Sequence, residues 1–228
     1  MSSEHESRHS NARAARERVA VPVVRIPRPA LAARAARALV GQSLVVVAPA
    51  GYGKTTLIED ALASTQLRVA WVRCTPADRH AGRLLGSIAR AVDHAVPGSS
   101  EVIANAGDGG QRAPDPIDGV RALLAECDRL LVDPIAIVVD DAEALTESEG
   151  ARSVLEELIR DNGPMVGVAV LSRRALPLRL AKPRSSGRLV ELGIGDLAFD
   201  ASECSDLVAR AAGRSVSRAA SCPRVYAT

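Results

Sequence analysis

Three groups of side chains in this 228-residue sequence have the types and spacing for phosphate chemistry. The first is Ala50-Gly51-Tyr52-Gly53-Lys54-Thr55-Thr56. Glycines let a loop curl so that successive N–H groups face phosphate oxygens, and a helix beginning just after them adds its positive end. In such a loop Lys54 reaches the β- and γ-phosphates and the Thr55 hydroxyl binds Mg²⁺. Thr56 falls in the first helical turn near the α-phosphate, and Tyr52 is read as a loop-surface residue. The strict motif has Gly five residues before Gly53, where this chain has Ala48. The motif is therefore degenerate at one turn position, while Gly51 supplies the freedom inside the loop. A chance Gly-Lys-Thr would look the same locally, but the chain has only two lysines, Lys54 and Lys182.

The second group is Asp140-Asp141, closing the apolar run Ile-Ala-Ile-Val-Val. Their spacing suits a metal-and-base pair, Asp140 holding Mg²⁺ through its water shell and Asp141 polarising an attacking water. A solvated Asp-Asp turn after a core strand would give the same two letters. The third group is Ser172-Arg173-Arg174 at the end of another apolar run. A cation there could sense a γ-phosphate, or the triplet could be a basic turn.

The elements that must position these groups follow from apolar periodicity. Residues 44–47 are β-branched and apolar, and Leu57, Ile58, Ala61 and Leu62 recur at helical spacing, so the loop sits between a strand and a helix. Strands are expected at 68–73, 135–141, 165–171 and 188–192, and helices at 30–40, 79–96, 117–132 and 149–161. Asp200 is expected to cap a last helix carrying Leu207 and Val208, and 176–184, with Pro177 and Pro183, to be irregular or a short helix. Continuous apolar strands alternating with helices predict a doubly wound, mostly parallel five-stranded sheet. An acidic pair on the third strand and a polar end on the fourth suit an arrangement with the fourth strand inserted between the first and third. In such sheets ligands lie at the carboxyl ends of the strands.

Composition narrows the choices. An apolar content of 47% suits a globular core, and with aromatics at 2% that core must be Ala, Val and Leu. A net charge of +2 makes no electrostatic case for nucleic-acid binding by this segment. The four cysteines form no C-x-x-C pair, which argues against a metal or disulfide framework and for a reduced, cytoplasmic setting. There is no signal segment and no apolar run of membrane-spanning length. Residues 1–20, with His5 and His9, read as a disordered tail, 97–116 as a long surface loop, 21–212 as the phosphate-loop domain, and 213–228 as an unstructured tail. The lone Trp71 is expected against the sheet.

Ala-Pro-Ala-Gly-Tyr-Gly-Lys-Thr-Thr-Leu, at 48–57, resembles the phosphate loop of the large ATP-binding LuxR-family transcriptional regulators of the maltose-regulon activator type. These are STAND-class signalling ATPases related to AAA+ proteins. The resemblance extends over roughly 22–212: Ile26-Pro-Arg-Pro-Ala-Leu ahead of the loop, Val69-Ala-Trp-Val in the second strand, Val138-Val-Asp-Asp-Ala as a Walker B segment, Leu171-Ser-Arg at the sensor strand and 189–199 after it. It implies a P-loop NTPase fold with ATP and Mg²⁺ as cofactors and slow Mg-dependent hydrolysis serving as a switch. It also implies Lys54 on the phosphates, Thr55 and Asp140 on Mg²⁺, Asp141 on water and Arg173 on the γ-phosphate. Such regulators continue into inducer-binding repeats and a helix-turn-helix that these residues do not contain, so no DNA contact is carried over. ATP or ADP and either nucleotide-dependent self-association or a protein partner are the expected interactions, with no membrane. Two other functions use the same letters: a small-molecule phosphate-loop kinase with a lid near 173–188, and a non-catalytic remnant acting as an interaction module.

Overall fold

A strand whose every residue is apolar must be covered on both faces. β3 (Ile135–Asp140) is buried at all six positions and β4 (Val166–Ser172) at all seven. The structure, a computed structural model, describes residues 25–97 and 115–211. β1 (Ser43–Val47), β2 (Arg68–Arg73) and β5 (Leu189–Leu192) complete a five-stranded sheet, ordered β2-β3-β4-β1-β5. All four neighbouring pairs are parallel. The predicted doubly wound sheet is thus borne out, with β4 inserted between β1 and β3, and the "mostly" parallel sheet is wholly parallel.

Alternation along the strands separates two cores. Val45, Ile137, Val139, Val168 and Val170 face one side, with Leu84, Ile88, Leu123, Leu155 and Leu158 from α3 (Ala81–Ala95), α4 (Pro116–Leu130) and α5 (Glu149–Asp161). Leu44, Val46, Val138, Ala169 and Leu171 face the other, with Ala35 of α1 (Pro29–Ala38), Leu39 just after it, and Leu57, Ile58 and Ala61 of α2 (Lys54–Ala63). Trp71 packs half-buried against this second core. Local signals set the helix starts. Asp115 caps α4, its carboxylate accepting from the Ile117 N–H at 2.9 Å, and the Ser148 hydroxyl accepts from Ala151 N–H at 3.1 Å to begin α5.

The helix expected over 79–96 is α3, which starts two residues later than expected. Thr75 and Asp78 form a capping box around a 3₁₀ turn, Pro76–Arg79, and α3 starts afresh at Ala81. Ala142–Leu145 is a further 3₁₀ turn, directly after β3. α6 (Ala181–Ser185) is the short helix in the proline-bearing stretch, and α7 (Ile194–Leu197) follows β5. These elements all lie in one compact unit, Arg28–Ala198. Of the flanking unit, the described part includes α8 (Ala201–Ala211), where the Asp200 carboxylate accepts from Glu203 N–H at 2.8 Å as expected of a cap. The readings of 1–20 with His5 and His9, of most of 97–116, and of 213–228 lie outside the described residues. No helix among the described residues is long and apolar enough to cross a membrane.

Candidate functional site

Parallel strands bring their carboxyl ends to one edge, and the three groups singled out by type all close such strands. Backbone hydrogen bonds tie the ends together: Ala48 N–H donates to Ser172 O at 3.2 Å, and Cys74 N–H to Asp140 O at 2.8 Å. After β1 the chain turns through Gly51 (φ 85°) and Gly53 (φ 76°) into α2. A Cβ at either glycine would meet nothing within 4 Å, so the left-handed backbone, and not space, is what requires Gly. No side chain caps the start of α2 and no acidic residue stands in its first turn. Its leading N–H groups therefore face the loop with their positive end uncompensated.

The Lys54 ammonium is drawn back into this loop. Its Nζ donates to Ala48 O at 2.7 Å and Pro49 O at 3.1 Å. Burial holds its pKa below the usual lysine value and Arg173 pushes the same way, against the opposing pull of Glu143, Asp140 and Asp141.

Asp140 is 3% exposed. Its Oδ2 accepts from the Thr55 hydroxyl at 3.3 Å and its Oδ1 from Asp141 N–H at 2.8 Å. Asp141 has φ 53°, the one positive value at a non-glycine among the described residues. Its two oxygens are shared between two arginines: Arg173 Nη2 lies 3.3 Å from Oδ1, and Arg73 Nε 3.4 Å from Oδ2. Arg173 is held a second time by Glu143, which accepts from its main-chain N–H at 3.0 Å and from Nε at 3.0 Å. The Ser172 hydroxyl turns to its own chain, donating to Arg174 O at 2.6 Å.

A cavity of about 420 Å³ opens at this edge. It takes in Ala50, Gly51, Gly53, Lys54, Thr55 and Thr56 of the loop and helix, together with Asp140, Asp141 and Arg173. Tyr52, 36% exposed, is absent from its lining, in keeping with a loop-surface residue. Two residues escaped the sequence reading. Arg73 closes β2, pairs in register with Asp140 and lines the cavity. Glu143 clamps Arg173 from the 3₁₀ turn. The signal for Arg73 was available, since a charged residue ending a parallel strand must open at the same edge as its neighbours.

The donor set fits a hard cation. Thr55 offers a hydroxyl and Asp140 a carboxylate, and no group of three or more His, Cys, Asp or Glu able to hold a metal ion by itself occurs among the described residues. Few protein ligands, all oxygen, is how Mg²⁺ is usually held, with water and phosphate completing its shell.

The sheet order and the glycine loop between β1 and α2 define a P-loop NTPase fold. Residues 39–172 match the family described as an AAA domain, and the chain belongs to that family. It is similar to the HTH-type transcriptional regulator MalT of Yersinia enterocolitica, 29% identical over 161 residues, covering 68% of this chain and 17% of that protein. MalT of Cronobacter sakazakii is 28% identical over 158 residues, with the same coverage of 68% and 17%. The resemblance to large regulators of the maltose-regulon activator type is thereby borne out, and this chain spans 17% of the length of those relatives. Among solved structures, the Signal Transduction ATPase with Numerous Domains (STAND) protein with a tetratricopeptide repeat sensor from Pyrococcus horikoshii aligns with a TM-score of 0.57 at 12% identity, over 82% of this chain and 25% of that one. The Aeropyrum pernix ORC1 protein, solved in complex with DNA, aligns with a TM-score of 0.51 at 20% identity, over 85% and 51%. At those identities both likenesses concern the fold.

Proposed function

We propose that this AAA domain binds ATP with Mg²⁺ and serves as a slowly hydrolysing switch within a MalT-like, LuxR-type regulator in the cytoplasm. The observation that carries this reading is the approach of Thr55 to Asp140, 3.3 Å from hydroxyl to carboxylate, beside a glycine loop and an uncapped helix start. Gly51, Gly53 and the first turn of α2 present main-chain N–H groups to phosphate oxygens, with Ala50 and Thr56 flanking them. Lys54 exchanges the carbonyls of Ala48 and Pro49 for those oxygens. Thr55 and Asp140 would hold Mg²⁺, which screens the phosphate charge when bound.

Asp141 is the proton acceptor for an attacking water, and Arg173 sits beside it. Both Asp141 oxygens are engaged by arginines, so an attacking water must compete with them for the carboxylate, which supports slow turnover. The bound and hydrolysed forms then differ in how these strand ends are held, and self-association or a partner protein reads that difference. No residue described here is assigned a DNA contact. Titration calorimetry of Mg-ATP into the full chain tests the reading: Lys54→Ala should weaken binding at least tenfold, and equal affinities would end it.

A further inference from the structure

β4 lies next to β1, and Ser172 pairs in register with Val47, the last residue of β1 before the phosphate loop. Arg173 therefore leaves the sheet one strand spacing, about 5 Å, from the start of that loop, and it lines the cavity. Among the charges acting on the Lys54 ammonium, that of Glu143 is the strongest and that of Arg173 comes next, ahead of Asp140 and Asp141. Arg73, at the end of β2, lies two strands further from the loop. A phosphate chain anchored by Lys54 and the start of α2 thus meets Arg173 first.

A long, half-exposed side chain at a cavity edge ordinarily samples several rotamers, and ordering it on a ligand costs free energy. Arg173 is 53% exposed, yet it is already held. Oε2 of Glu143 accepts from its main-chain N–H at 3.0 Å, and Oε1 lies 3.0 Å from its Nε. One carboxylate, 16% exposed and outside the cavity lining, grips both the root of the side chain and the near edge of its guanidinium. That grip uses Nε and leaves the two terminal nitrogens free to turn toward the cavity. Nη2 is occupied only by the longer contact with Asp141 Oδ1, at 3.3 Å.

Building on the nucleotide-binding reading above, we propose that Glu143 is a positioning residue: it holds Arg173 from behind so that the terminal guanidinium nitrogens are set in advance for the outermost phosphate of a bound triphosphate. Arg173 keeps Glu143 when the phosphate arrives and gives up its contact with Asp141, gaining charge-assisted, two-pronged hydrogen bonds. A diphosphate ends short of Arg173 and gains nothing from the clamp. Glu143 therefore sets how strongly the site prefers triphosphate to diphosphate without touching either.

The test compares Mg-ATP and Mg-ADP affinities by calorimetry for the wild-type full chain, Glu143→Ala, Arg173→Ala, the double variant and Lys54→Ala. Arg173→Ala should weaken Mg-ATP by about tenfold or more and Mg-ADP by less than about twofold. Glu143→Ala should weaken Mg-ATP by about threefold to tenfold, the cost of ordering one freed side chain, again with Mg-ADP within about twofold. Without Arg173 the clamp has nothing to hold, so the double variant should match Arg173→Ala within about twofold in its ATP-to-ADP ratio. A merely structural role for Glu143 would lower both affinities alike or shift the melting curve alone, and leave the ratio where it was. An unchanged ratio in Glu143→Ala overturns the proposal, as does a raised one, which would make Glu143 a competitor of the phosphate for Arg173. Additive losses in the double variant, or an unchanged ratio in Arg173→Ala, overturn it too. Failure of the underlying reading looks different: the wild type would bind neither nucleotide, or Lys54→Ala would bind both as well as wild type does.

Discussion

The Thr55 hydroxyl lies 3.3 Å from the Asp140 carboxylate although 85 positions separate the two residues. Thr55 is in the first turn after the phosphate loop and Asp140 ends a strand two places away in the sheet. If both serve one cation, their effects on nucleotide binding are coupled. Thr55→Val and Asp140→Asn should each weaken Mg-ATP, and the double variant should fall short of additivity by on the order of 1 kcal/mol. Calorimetry with Mg²⁺ and again with excess EDTA checks this, since the differences among the variants should shrink when the metal is removed.

Gly167 is required by contact with another chain segment. A Cβ at this position in β4 would lie 1.9 Å from Leu39 O and 2.6 Å from Leu39 C, backbone atoms that cannot rotate away. Gly167→Ala should therefore cost about 3 kcal/mol or more, at the upper end of overpacking penalties. A urea titration followed by circular dichroism measures the loss. A midpoint equal to wild type would show that the end of α1 yields freely.

The capping box before α3 should appear in the acid limb of stability. Burial pushes the Asp78 carboxyl upward. Hydrogen bonds from the Thr75 hydroxyl (2.6 Å), the Thr75 N–H (2.8 Å) and the Ser87 hydroxyl (3.0 Å), aided by Arg83, outweigh it and hold the group below the usual carboxylate range. A carboxyl whose folded pKa is lowered binds fewer protons folded than unfolded. Its contribution is thus present above the ordinary value near 3.9 and lost as pH falls through the folded value. Unfolding free energies measured from pH 7 down to pH 3 should decline less steeply for Asp78→Asn than for wild type, and the variant should be about 2 kcal/mol less stable at neutral pH.

Two thiols should resist modification. Burial is the main cause that pushes Cys74 up to about 12, with Asp78, Asp140, Asp141 and Glu143 adding to it, and burial likewise raises Cys127 to about 11. The thiolate is the reactive form, so at pH 8 almost none is present at either site. Peptide mapping after iodoacetamide treatment should find both unmodified in native protein and both modified in urea. Labelling of Cys74 in the native state within minutes would show that the β2 end opens readily.

Much of the fold was legible because buried parallel strands leave a local mark. Ile135 to Val139 has no polar interruption, and the loop at Gly51 to Thr55 announces itself through residue types with few other uses in that order. The limits of β2 and α5 fell where apolar period and caps put them. The 3₁₀ turn Pro76–Arg79 ahead of α3 did not show in the apolar period, because it is fixed by the Thr75–Asp78 box and ends where the His80 backbone turns extended. Arg73 and Glu143 carried no motif; the place of Arg73 at the cavity and the grip of Glu143 on Arg173 follow from neighbours far away in sequence.

Residue order alone determined that Gly51, Gly53, Lys54 and Thr55 form a phosphate loop between a strand and a helix, and that Asp140, Asp141 and Arg173 close strands. These are local properties, set by backbone freedom, apolar period and side-chain chemistry within a few residues. Where β2 and β5 join the sheet was decided by the packed fold, and so was the sharing of Asp141 between Arg73 and Arg173 and the clamp of Glu143 on one of them. Those relations depend on strand order and on distances of a few ångströms between segments many residues apart, and they arise only when both faces of the sheet are covered.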